Sequence, residues 1–123
     1  MITFLTVCTI RQLPQALALG ESLQRHHPSD AFVIGLCDDP AHLPTGFQTS
    51  FPLVSIRDLT IPDREQLSQQ YTPAEFTAAC KPLFIKHIHQ SQSQTGWVVY
   101  LDPSVYLYQP LADLQNRYAD ATL

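Results

Sequence analysis

The stretch Trp97-Val98-Val99-Tyr100-Leu101-Asp102-Pro103 constrains the fold of this chain more than any other. Residues 97–101 carry no charge and are β-branched, aromatic or aliphatic. That is the pattern of a strand buried on both faces of a sheet. Asp102 ends the run, and Pro103 has no N–H to give to a ladder, so regular pairing stops there. Residues 105–108 read as a second short strand, closed off by Pro110. In an open α/β sheet, ligands bind beyond the carboxyl ends of the strands, and Asp102 lies at such an end.

The first third of the chain supplies the partners such a strand needs. Residues 2–8 are β-branched and almost wholly apolar, which reads as a first strand. A polar turn at residues 9–12 follows. Pro14 then suits the first turn of a helix, where its missing N–H costs nothing. From there Leu13, Ala16, Leu17, Leu19 and Leu23 recur largely at spacings of three and four, with Gly20 on the same face as Ala16 and Leu23. Gly20 there allows close packing on a sheet. Residues 26–30 end the helix, and residues 31–37 read as a second buried strand ending in Asp38-Asp39-Pro40. Strand, helix and strand in this order imply a right-handed parallel crossover.

The middle is less regular. Residues 41–50 read as a loop, residues 51–56 as a short strand and residues 62–70 as a polar helix. Thr72-Pro73-Ala74-Glu75 fits a capping box, with Thr72 as N-cap and Glu75 three residues on. Phe76, Ala79, Cys80 and Leu83 then mark the apolar face of a helix. Pro82 removes one intrahelical hydrogen bond, so a kink or restart at Lys81-Pro82 is expected, with residues 83–89 continuing.

Length and composition bound the rest. At 123 residues the chain is expected to form one domain with a real core. A formal net charge of −4 and the lack of a Lys/Arg cluster argue against nucleic acid as a partner. No apolar run approaches the roughly 18 residues of a membrane helix. The apolar start has no positive n-region, so a signal peptide is not expected. Cys8, Cys37 and Cys80 are odd in number and widely spaced, which suits reduced thiols and a cytoplasmic location.

The residues around Asp102 also carry a family resemblance. Tyr100-Leu101-Asp102-Pro103-Ser104, followed by Gln109-Pro110-Leu111, resembles the acidic motif of nucleotide-sugar glycosyltransferases of the GT-A fold, closest to family 8-like and related bacterial sugar transferases. Their pattern is a buried strand, then Tyr-Leu-Asp-x-Asp, then a hydrophobic strand leading to Lys/Gln-Pro-Leu. The segment Phe76-Thr77-Ala78-Ala79-Cys80-Lys81-Pro82 is similar to their Ala-x-Lys-Pro helix, and Val7-Cys8-Thr9 to their opening turn. The resemblance covers nearly the whole chain up to Leu111.

It implies a Rossmann-like GT-A three-layer α/β sandwich, incomplete at its C-terminus, over a single domain at residues 1–123. The implied function is binding of a nucleoside diphosphate sugar, a UDP-sugar first, for glycosyl transfer. As an enzyme it would be a hexosyltransferase-like glycosyltransferase only when completed by a C-terminal half, and the isolated chain is expected to be inactive and to self-associate through an uncovered apolar face. In these families the first Asp of the motif touches the ribose and the metal, and the last Asp grips a divalent cation. Here Ser104 stands in the last position. The resemblance therefore implies Asp102 as a lone metal ligand, with Mn²⁺ or Mg²⁺ as a weakened cofactor. Thr9, Arg11, Asp38, Lys81 and Asp102 make up the implied nucleotide-sugar site. Lys81 and Arg11 would offset phosphate charge, and Asp38 would read the nucleoside. No catalytic base or nucleophile can be named.

Blander readings stand beside these. Asp38 and Asp39 also suit a solvated turn with Pro40, Thr9 and Arg11 an ordinary turn, and Lys81 an exposed helical position. His87 and His89 are two apart and do not share a helix face. Tyr100, Tyr106 and Tyr108 are expected to pack around the sheet. Two other function classes fit the length and alternation: a receiver-like signalling module, with Asp38-Asp39 as its acidic pair, and a non-catalytic interaction domain.

Overall fold

A computed structural model describes residues 2–56, 59, 72–91 and 96–108. Four parallel strands form one sheet: β1 (Ile2–Cys8), β2 (Ala31–Leu36), β3 (Leu53–Ser55) and β4 (Trp97–Tyr100), in the order β3-β2-β1-β4. Helix α1 (Leu13–His26) connects β1 to β2, and α2 (Pro73–Ser91) precedes β4. The expectation of a parallel α/β fold is met.

Alternation along the strands builds two cores, one on each face. Ile2, Phe4 and Cys8 of β1 join Phe32, Ile34 and Leu36 of β2 under α1, which contributes Leu13, Ala16, Leu19 and Leu23. Leu5 and Val7 face the other way and join Val98 of β4 under α2, which contributes Cys80, Phe84 and Ile88. With a helix on each face, the strands have no polar side to show, which is why their sequences read as unbroken apolar runs. The result is a three-layer sandwich.

Both helices lie close to the sheet at a glycine. A Cβ on Gly20 of α1 would come within 2.7–2.8 Å of the Phe51 and Phe32 rings, which themselves meet edge to face with centroids 5.4 Å apart. A Cβ on Gly35 of β2 would come within 2.9–3.1 Å of the Phe84 ring. Phe84 is fully enclosed.

Three local expectations change. Helix α2 runs through Pro82 as one element from Pro73 to Ser91, with no restart. Cys80, Phe84 and Ile88 fall four apart along one buried stripe spanning the proline, so burial on the sheet holds the helix across the lost hydrogen bond. Pro82 itself and Ala78, whose carbonyl loses its donor, are exposed, so water can serve that carbonyl. Residues 105–108 form no strand. They turn back through a Val105 N–H bond to the Asp102 carbonyl at 3.0 Å. The Ser22 hydroxyl in α1 then accepts the Leu107 N–H at 3.1 Å while donating to the Leu19 carbonyl at 2.7 Å. That clasp takes the place of a ladder. Finally, β4 is an edge strand among the described residues, with Val98 buried and Trp97, Val99 and Tyr100 only partly so.

The remaining boundaries match closely. The 51–56 segment holds β3, and the capping box at Thr72 forms: Thr72 N–H donates to Glu75 Oε1 at 3.1 Å, and Glu75 N–H to Thr72 Oγ1 at 3.2 Å. The Thr72 side chain and the Thr72 N–H, both acting on the Glu75 carboxyl, hold it below its ordinary value. The expected helix at residues 62–70, Gln109-Pro110-Leu111 and the C-terminal lead-in to a further strand lie outside the described residues.

Candidate functional site

Three strands deliver their carboxyl ends to one edge of the sheet. β1 passes into Thr9, β2 into Cys37 and Asp38, and β4 into Leu101 and Asp102. The chain runs from β1 outward to β2 and β3, then returns to the other side of β1 for β4. The gap between β1 and β4 is therefore the reversal point of this sheet, where open α/β sheets bind their ligands. Leu101 N–H donates to the Leu5 carbonyl at 2.8 Å, which carries β4 pairing up to the residue before Asp102.

Asp102 is exposed, in a turn closed by Ser104. Ser104 donates both its N–H, at 2.9 Å, and its hydroxyl, at 2.7 Å, to Asp102 Oδ1. These two bonds, with the positive charge of Lys81 as a smaller contribution, hold the carboxyl below its ordinary value. Both bonds land on Oδ1, so Oδ2 is not committed to the turn.

Lys81 reaches the same place from α2. Its ammonium lies 5.2 Å from the centroid of the Tyr100 ring, a cation–π contact. Lys81 is partly buried rather than an exposed helical lysine. The Tyr100 Oη is enclosed and makes no hydrogen bond of good geometry. Burial raises the phenol's pKa, and Lys81 and the Val7 backbone, both close by, pull the other way. The structure thus brings Lys81, Tyr100 and Asp102 together.

Thr9, Arg11 and Asp38 form a second group. The β1 loop makes a 3₁₀ turn, Ile10–Gln12, in which Thr9 N–H donates to Gln12 Oε1 at 3.1 Å and Gln12 N–H to the Thr9 carbonyl at 3.1 Å. Asp38 Oδ2 accepts the Ile10 N–H at 2.6 Å, pinning this turn to the end of β2. One oxygen of Asp38 is therefore spent on the backbone. Asp39 caps the next 3₁₀ turn, Pro40–His42, through Oδ1 and the Ala41 N–H at 2.9 Å, as the solvated-turn reading expects. Arg11 is exposed, and among the described residues it pairs with no carboxylate.

Three features are not among the expectations drawn from the local sequence pattern. Composition places Tyr100 in the packing around the sheet, yet it is also the surface on which Lys81 rests. Gln12 stiffens the Thr9 turn, and its place three residues after Thr9 was a capping signal available in the sequence. The Ser22–Leu107 bond joins positions 85 apart, and no local pattern announces it.

Among the described residues, the donors at this turn do not suit a divalent cation. Asp102 offers one carboxylate, and the neutral Ser104 hydroxyl is already donating to it. Among the described residues no group of three or more His, Cys, Asp or Glu side chains is placed to hold a metal ion. No helix among them is long and apolar enough to cross a membrane.

No protein-family model, curated protein or solved structure matches the chain.

Proposed function

We propose that this chain is a nucleotide-binding domain of the sugar-transferase type, which takes a nucleoside diphosphate sugar, UDP-sugars first, at the gap between β1 and β4. One observation carries this reading: a lysine from α2 and the carboxylate that ends β4 meet across Tyr100 at the reversal point of the sheet. A partly buried ammonium beside a ligand gap is suited to a diphosphate, and a carboxylate two residues beyond the strand end is suited to ribose hydroxyls. Thr9 and the backbone turn held by Asp38 would border the base, and Arg11 would extend the positive charge toward solvent. In glycosyl transfer the charge that builds on the departing diphosphate would then be offset by Lys81. No step runs through a metal ion, because the donors do not suit one.

The receiver-like alternative loses support on two grounds. Receivers of the flavodoxin-like type place β1 between β2 and β3, whereas here β3 lies beyond β2. Asp38 and Asp39 each give a carboxylate oxygen to a backbone cap rather than leaving it for a metal ion.

Titration of the chain with UDP in the presence of a chelator tests the proposal. Binding is expected, with amide shifts at Thr9, Lys81 and Asp102, and Lys81→Ala is expected to weaken it by roughly tenfold, about 1.4 kcal/mol. Equal UDP affinity in the two proteins, or a response only to a beryllium fluoride phosphate mimic, overturns it.

A further inference from the structure

Tyr106 and Tyr108, expected to pack around the sheet, are turned to solvent instead, at 38% and 86% exposure. Among the described residues no other large hydrophobic side chain is exposed. Leu107 between them is the reason. Its side chain is buried in the core under α1, and its N–H is held by the Ser22 hydroxyl at 3.1 Å. Extended chain sends successive side chains to opposite sides, so anchoring Leu107 inward presents both neighbours outward. The two rings touch, with centroids 5.1 Å apart and planes tilted by 55°.

We propose that Tyr106 and Tyr108 form a stacking surface for a neutral saccharide, beside the turn that carries Asp102. The patch is too small for a protein partner. Together the two rings offer little more than one tyrosine's surface, about 200–300 Å² on the scale of a whole aromatic side chain. Each partner in a standard protein interface gives roughly 800 Å². With no other large hydrophobic exposed among the described residues, the patch has nothing apolar to extend into. One or two sugar rings match its size.

The ring geometry separates a sugar from a flat base. Clamping a base needs two parallel rings about 7–8 Å apart, twice a van der Waals contact. Here the rings fill that space themselves and are tilted. A puckered sugar ring suits such a surface, because its C–H bonds meet the negative face of an aromatic ring while its hydroxyls stay at the edge. The phenol hydroxyls can donate to and accept from those edges. Asp102 supplies a further acceptor nearby. The Val105 N–H bond to its carbonyl makes one turn between Asp102 and Tyr106, and its Oδ2 is not committed to Ser104.

Saccharide binding here stands on the tyrosine pair and does not depend on what the gap between β1 and β4 takes.

The test titrates the full chain with maltose, cellobiose and lactose in turn, at millimolar concentration and without nucleotide, and follows backbone and tyrosine-ring NMR signals. At least one disaccharide is expected to shift Tyr106, Tyr108 and Ser104 while leaving the enclosed Phe84 unmoved. Tyr108→Ala is expected to weaken that binding about tenfold, whereas Tyr108→Phe, which keeps the ring, should retain it. Tyr108 is exposed, so neither change disturbs the core. No shift with any of the three sugars overturns the proposal, as does equal affinity in Tyr108→Ala. Adenosine shifting the pair where the sugars do not would assign it to a base. Tyrosine signals that move with chain concentration alone would assign it to a second copy, and either result also overturns the proposal.

Discussion

Ser104 places its hydroxyl 2.7 Å and its backbone N–H 2.9 Å from the same oxygen of Asp102. The Ser104 side chain is thus spent on satisfying the Asp102 carboxylate. The turn is shaped by a donor pair rather than by two acceptors around an ion.

The titration of this turn follows from the geometry. Asp102 has a folded pKa below its ordinary 3.8, so its contribution is fully present above that value and is lost as pH falls through the lowered one. Asp102 is exposed, so the consequence is local. The Ser104 amide resonance should titrate below pH 3.8, and Ser104→Ala should move that midpoint up toward the ordinary value. Ser104→Ala keeps the backbone N–H, so an unchanged midpoint means that the hydroxyl bond does not hold the carboxylate in solution.

Gly35 should tolerate no larger residue. An added Cβ would lie 3.0 Å from Phe84 Cγ, an atom near the Phe84 backbone that cannot swing away as a chain tip would. Phe84 is fully enclosed, so ring and helix must shift together. Gly35→Ala is expected to cost about 1–3 kcal/mol, the range of overpacked cores, read from urea unfolding. The pairing Gly35→Ala with Phe84→Leu should recover part of that loss. Full additivity of the two changes would show that the contact is not tight.

Pro82 invites the opposite outcome. Its ring occupies an exposed helical position, while Cys80, Phe84 and Ile88 hold α2 on the sheet regardless. Pro82→Ala restores a backbone donor without touching the core. It should raise stability by about 1–3 kcal/mol, less than or equal to the intrinsic penalty of an interior proline. A loss of stability would mean that the helix needs a bend here to seat Lys81 on Tyr100.

Pro82 also marks how far the sequence could be read. Local rules located β1, α1, β2, β3 and the Thr72 cap, because apolar period and capping residues are written within a few positions of one another. The same rules set a break at Pro82, since propensity counts the lost hydrogen bond but not the buried stripe on either side of it. Residues 105–108 looked like a strand by composition, and only the distant Ser22 hydroxyl explains their actual course. At the site, Asp102 and Lys81 were legible as single residues. Their meeting over Tyr100 depends on how α2 crosses the sheet, which no spacing encodes. Asp38 shows the converse: its place at a strand end was legible, while its bond to Ile10 N–H required the β1 turn to be in view.

A carboxylate in place of Ser104 would change what this turn can hold. A neutral hydroxyl is a weak ligand for a hard divalent cation, whereas a carboxylate brings charge and can bind through two oxygens. With Asp102 alone, UDP binding should depend little on Mn²⁺ or Mg²⁺. Ser104→Asp removes the hydroxyl donor from Asp102 Oδ1 and sets a second carboxylate two residues away in the same turn. Without metal, the two charges repel, and the Asp102 carboxyl should rise from its lowered value. With Mn²⁺ both can face one ion, and UDP should bind on the order of tenfold more tightly than in a chelator, about 1.4 kcal/mol. Asp102→Ala in the same background should abolish that gain. Calorimetry on the three proteins, with and without Mn²⁺, separates the outcomes. Strong Mn²⁺ dependence in the unaltered chain would show that Ser104 does not limit metal binding, and a gain that survives Asp102→Ala would remove Asp102 from the ligand set.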